Sequence, residues 1–128
     1  MLSDDDAVLS VISNKDFLEN IKKESIVIDM SSTKPITSKK IYEILKKKEI
    51  CFLDAPVSGG TLGAKNGSLA IMVGGEKEVF NKAKNILNTM GNPTLVGPIG
   101  CGQIAKLANQ IIVGVTIGAV AEAIHPVS

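Results

Sequence analysis

A chain of 128 residues is long enough for one domain with a core of its own and too short for two ordinary ones. Hydrophobic residues make up 45% and aromatic ones only 3%, so the core must be built from Ile, Val, Leu, Met and Ala. The 14 basic residues are all lysine and face 13 acids; a net charge of +1 excludes the electrostatic footprint that nucleic acid or an anionic membrane surface would demand. In chain order, Asp4, Asp5 and Asp6 sit where acids favour a helix start, with Val8, Leu9, Val11 and Ile12 as its apolar side. Ser25 to Met30 is a β-branched run of strand length, read as a buried parallel strand. Pro35 suits the first turn of a helix carrying Ile36, Ile41, Ile44 and Leu45. Ile50 to Leu53 is a second strand, ended by Asp54-Ala55-Pro56, and a glycine-rich loop covers Val57 to Gly67. Leu69 to Val73 is a third strand, stopped by Gly74-Gly75. A helix then places Val79, Phe80, Ala83, Ile86, Leu87 and Met90 at helical spacing, with Gly91 as its C-terminal cap. Thr94 to Val96 makes a last short strand, and a long helix runs from about Gly102 to about Ile124.

This alternation of strand and helix predicts an α/β layer around a parallel or mixed sheet. The lysine pairs and triplet (Lys22-Lys23, Lys39-Lys40, Lys46 to Lys48) fall on or just after helices, as solvated faces. Cys51 and Cys101 are far apart, with no C-x-x-C and no histidine partners, which points away from zinc and disulfides and towards a reducing cytoplasm. The acidic start lacks the positive charge of a secretory signal, and the apolar run Ile111 to Ala121 falls short of the roughly 18 residues a bilayer span needs. No membrane and no nucleic acid partner is expected. The second half of the last helix (Ile111, Ile112, Val113, Val115, Ile117, Val120, Ala121) is apolar all round and needs cover, from protein beyond Ser128 or from another subunit. A homo-oligomer is therefore expected, with Gly114 and Gly118 giving close helix packing.

Two segments carry candidate chemistry. Along Gly100-Cys101-Gly102-Gln103-Ile104-Ala105-Lys106-Leu107-Ala108-Asn109-Gln110, the polar residues Gln103, Lys106 and Asn109 or Gln110 recur at three- and four-residue spacing and share one helical face. A lysine among apolar residues can be tuned by desolvation for acid/base work; it can equally be a packed stem with its ammonium in solvent. Gly100-x-Gly102-x-x-Ala105 also fits a dinucleotide fingerprint, but Glu122 lies within the helix and no second strand follows, so this match is rejected. In Asp54-Ala55-Pro56-Val57-Ser58-Gly59-Gly60, the paired glycines after a strand allow backbone N–H groups and the Ser58 hydroxyl to approach an anion, or simply make a turn.

These residues carry a resemblance. DAPVSGG, then GA-x-x-GSLAIMVGG, then G-x-GQ-x-AKLANQ, in this order and with the upstream Ser-Asp-Asp and IDMSS-x-x-P, closely resemble the β-hydroxyacid dehydrogenases, the group of 3-hydroxyisobutyrate dehydrogenase and tartronate semialdehyde reductase. The resemblance runs from Met1 to about Ile124. It implies the second half of a Rossmann-like NAD(P)-binding domain followed by a long interdomain helix. Residues 1–100 would be a partial Rossmann-like domain without its first βαβ unit, residues 101–125 the helix with the catalytic lysine, and the all-helical C-terminal domain would be absent. The implied reaction is hydride transfer between NAD or NADP and a small 3-hydroxy acid or its semialdehyde. Lys106 matches the lysine that exchanges a proton with the substrate oxygen. Asn109 matches the polar residue that helps position substrate, and Ser58, Gly59 and Gly60 match the loop that holds its carboxylate. Leu2, Ser3 and Ser32 match cofactor-lining positions, with Ser3 standing where the family usually has Pro. As an internal fragment lacking the glycine turn for the pyrophosphate, the chain alone is expected not to turn over. The competing reading is a non-catalytic truncated product or an assembly module that associates through the 102–124 helix.

Overall fold

The computed structural model describes residues 5–111. Helices α1 (Asp5–Ile12), α2 (Lys15–Asn20), α3 (Pro35–Lys46), α4 (Gly60–Asn66) and α5 (Lys77–Met90) alternate with strands β1 (Ile26–Asp29), β2 (Cys51–Asp54), β3 (Val57–Ser58), β4 (Leu69–Gly74) and β5 (Gly91–Gly97). Residues 101–111 are helical and form α6. The sheet is mixed. β1 runs parallel to β2, with Asp29 opposite Asp54, and β4 runs parallel to β5. β4 is antiparallel to both β2 and β3, which follow one another along its other edge across Ala55-Pro56.

Alternation along β2 divides the core. Phe52 packs with Val8, Ile12, Ile41 and Leu45, the apolar sides of α1 and α3, and with Ile50 just ahead of β2. Its neighbour Leu53 points the other way, into a cluster with Ile71, Val73, Val79, Phe80, Ala83 and Leu87 from β4 and α5. The sheet is thus sandwiched between helical layers, as an α/β chain with one apolar stripe per helix must be. Pro35 occupies the first turn of α3. The first turn also gains a remote cap, because Asp5 Oδ2 accepts the Lys34 N–H at 3.0 Å and the Thr37 hydroxyl.

Several expectations need correction. The Ser25 to Met30 run is parallel but half-buried throughout, since β1 pairs on one side only among the described residues. The Val57 to Gly67 loop is instead β3 and α4, a seven-residue helix closed by Gly67 at φ 64°. Helix α2 had no apolar period long enough to announce it; Asn14 caps it by accepting the Phe17 N–H. The last strand is longer than Thr94 to Val96 because it opens at Gly91. That glycine does end α5, but in extended backbone, not as a left-handed cap. What demands glycine there is proximity: a Cβ would stand 2.0 Å from the Leu69 carbonyl oxygen. Ile36 and Ile86, read as apolar-face residues, are exposed. The part of the long helix beyond Ile111, with Gly114, Gly118 and Glu122, lies outside the described residues.

Candidate active site

The site is built around the start of α6. A helix N-terminus leaves N–H groups without intrahelical partners. Here the carboxylate of Asp54, at the end of β2, supplies them: Oδ1 accepts the Gly100 N–H at 2.8 Å and Oδ2 the Gln103 N–H at 3.0 Å. Asp54 is fully buried, and burial pushes its carboxyl above the ordinary carboxylate value, with the N–H groups of Gly100, Gln103 and Gly102 opposing. The close seat needs Gly102, where a Cβ would meet the Met72 carbonyl oxygen at 2.4 Å. So the glycines of the rejected fingerprint let a helix settle on a strand-borne carboxylate.

From that anchor α6 reaches the turn around Ser32 and the short strand β3. Gln103 is 1% exposed; its Oε1 accepts the Thr33 N–H at 3.0 Å and its Nε2 donates to the Ser31 carbonyl at 2.8 Å, clasping the turn after β1. One turn on, Lys106 Nζ donates to the Val57 carbonyl at 2.8 Å. Asn109 Nδ2 donates to Ser58 Oγ at 3.3 Å. A cleft of about 200 Å³ is lined by Asp5, Ser32, Thr33, Gln103, Lys106 and Gln110, with Val57 and Ser58 outside its lining. The Thr33 hydroxyl is buried and has no hydrogen-bond partner among the described residues.

Comparisons with known proteins identify the family and the fold. The model for the NAD binding domain of 6-phosphogluconate dehydrogenase matches residues 1–114. The chain belongs to that family. Its relatives include an uncharacterised oxidoreductase of Bacillus subtilis, 50% identical over 107 residues, which are 83% of this chain and 37% of that protein. The 2-hydroxy-3-oxopropionate reductase of Escherichia coli is 48% identical over 103 residues, 80% of this chain and 35% of the reductase. The chain thus spans little more than a third of these relatives' length. Among solved structures, a Mycobacterium tuberculosis 3-hydroxyisobutyrate dehydrogenase with L-serine superposes with a TM-score of 0.91 at 31% identity, covering 96% of this chain and 42% of that one. Rossmann-like architecture, expected from the motifs, is what these neighbours share.

Within this NAD-binding domain the predicted site residues fall into two groups. Lys106 and Ser32 line one cleft, and Asn109 meets Ser58 beside it. Gly59 and Gly60 form the exposed start of α4, next to Ser58 but not among the residues lining that cleft. Leu2 and Ser3 lie outside the described residues. Asp54 is what sequence reasoning missed. It was read as the end of a strand, and its partners stand 46 and 49 residues away, beyond any local spacing. The available signal was an acid directly after the apolar strand Ile50 to Leu53. No helix among the described residues is long and apolar enough to cross a membrane.

Proposed function

We propose that this chain is part of an NAD(P)-dependent β-hydroxyacid dehydrogenase acting on a small 3-hydroxy acid or its semialdehyde, with Lys106 as general acid/base. The observation that carries the reading is the placement of Lys106. Lys106 lines the cleft shared with Ser32, and its amine donates to the Val57 carbonyl, one residue before Ser58. A cofactor on the Ser32 side and a carboxylate on the Ser58 side would have Lys106 between them.

The residues suit a nicotinamide. The cleft is polar on its Ser32–Thr33 wall, and the unpartnered Thr33 hydroxyl has hydrogen-bonding capacity to spare for a carboxamide. Bound there, the cofactor supplies the hydride chemistry. Leu2, Ser3 and Ser32 are the proposed cofactor-lining residues. The protein's own part is positional and acid/base. The hydroxyl of Ser58, oriented by Asn109, and the backbone of Gly59 and Gly60 hold the substrate carboxylate; Lys106 exchanges a proton with the substrate's oxygen as that oxygen changes between carbonyl and hydroxyl. In this reading residues 1–100 form the cofactor-binding part and residues 101–125 the lysine-bearing helix. On the same reading the 128 residues by themselves do not turn over, because Gly102 of the fingerprint-like run is packed against Met72 and Asp54 and cannot cradle a pyrophosphate. Both described cysteines are free, which suits a reducing cytoplasm.

The test is transplantation. The chain replaces the matching segment of the Escherichia coli reductase, and reduction of 2-hydroxy-3-oxopropionate by NADH and NADPH is followed. Activity in the chimera, with Lys106→Met lowering kcat by about 10²- to 10⁴-fold, is expected. A Lys106→Met chimera as fast as its parent would end this reading.

One observation favours assembly as an added property. Ile104, Leu107 and Ile111 of α6 are 52%, 46% and 64% exposed, an apolar stripe that a second copy would cover. Light scattering on the purified chain is expected to return a homo-oligomer; a monodisperse monomer would remove that part of the proposal.

A further inference from the structure

Gln103 takes no part in the chemistry proposed above, yet it is the polar side chain most fully enclosed at the start of α6. Its two ends address one turn. Oε1 takes the Thr33 N–H and Nε2 gives to the Ser31 carbonyl, so Ser32, the exposed residue between them, is bracketed. Lys106 follows three residues later on the same helical face and lines the same cleft as Ser32. The helix itself is held at its first turn by Asp54.

We infer that Gln103 is a positioning residue, which sets the separation between Ser32 on one wall of the cleft and Lys106 on the other. Its chemical purpose rests on the dehydrogenase reading; its geometry does not. Volume alone would be met by any unbranched side chain of this length. The turn, however, offers an acceptor at Ser31 and a donor at Thr33, and only a group with both a donor and an acceptor at its tip answers both. A carboxamide does so at every pH, whereas a carboxyl does so only when protonated. The turn around Ser32 and the short strand β3 at Val57 are thereby referred to one rigid helix, the first through Gln103 and the second through Lys106.

The test uses the ligand-free 128-residue chain, isotope-labelled for NMR, with Gln103→Met and Gln103→Glu. Gln103→Met keeps the volume and loses both bonds. Thr33 amide exchange should quicken about ten-fold, the factor that one ordinary hydrogen bond is worth, and the Lys106 ammonium resonance should broaden. The Gly100 amide, held by Asp54, should stay as in the parent chain. Gln103→Glu should show a disturbed Ser31–Thr33 turn and Lys106 signal at alkaline pH, both restored as the pH falls and the carboxyl, whose proton burial helps to retain, becomes a donor again. Acceleration of all amides alike, or no acid rescue in Gln103→Glu, would show that Gln103 merely fills space. Because no ligand or turnover is involved, this result stands apart from the chimera assay: the clamp can fail while Lys106 proves catalytic, and the reverse.

Discussion

Two carboxylates in this molecule perform the same task in opposite surroundings. Asp5 caps α3 from the start of α1, and Asp54 caps α6 from the end of β2. Asp5 is half-exposed, and the hydrogen bond from Thr37 holds its carboxyl below the ordinary value of 3.8. Asp54 is wholly buried, and burial drives its carboxyl above that same value. The comparison teaches that the same capping task shifts a carboxyl in opposite directions, according to whether hydrogen bonding or burial is the larger influence. Asp54 accepts more N–H groups and is nevertheless the harder to ionise. It also bears the larger structural burden, since α6 presents Gln103, Lys106 and Asn109 to the Ser32 turn and β3, whereas α3 presents no side chain to the proposed chemistry.

Removing the buried member should be the heavier blow. Asp54→Ala leaves the N–H groups of Gly100 and Gln103 without acceptors in the interior, for a destabilisation of about 3 kcal/mol in urea unfolding. A loss no larger than that of an ordinary exposed cap would show that the two sites are equivalent. The smaller effect is the opposed pH dependence, read from unfolding of Asp5→Asn and Asp54→Asn across pH 3 to 7. Asp5 has a lowered folded value, so its contribution is present above 3.8 and fades as the pH falls through that folded value; Asp5→Asn should cost stability near pH 7 and less in acid. Asp54 has a raised folded value, so its favourable contribution is full below 3.8 and is lost as the pH rises through the folded value. The stability of the parent chain relative to Asp54→Asn should therefore decline from pH 3 towards 7. Parallel trends in both variants would break the comparison.

The strands and the long helices were legible because each carries a period that its surroundings also demand. The Ile26–Asp29 run, the Pro at the start of α3, and the Val79, Phe80, Ala83 and Leu87 stripe all became what their spacing implied. The region from Val57 to Gly67 was not, because Gly59, Gly60 and Gly63 carry no side-chain signal. Its short helix rests on Leu69, whose side chain lies 3.2 Å from where a Cβ of Gly63 would be. At the site, the spacing of Gln103, Lys106 and Asn109 disclosed a shared face, and the motif match gave Lys106 a partner loop. Spacing could not disclose that the glutamine's partners sit 70 and 72 residues upstream, or that two strands would end on aspartates set side by side.

The junction of α5 with β5 has a consequence for how this domain can be altered. Met90 is the last residue of the helix and Gly91 the first of the strand, with no connecting residue between them. Gly91 sits hard against Leu69, so the pairing of β5 on β4 is set at its first position. One inserted residue would exchange the two faces of β5 from Gly91 to Leu95, ahead of the register shift that the ladder makes between Val73 and Gly74. Surface loops such as the stretch between α2 and β1 can vary in length without touching the chemistry. At this seam a change of length meets Leu69 at once, because there is no connecting residue to absorb it.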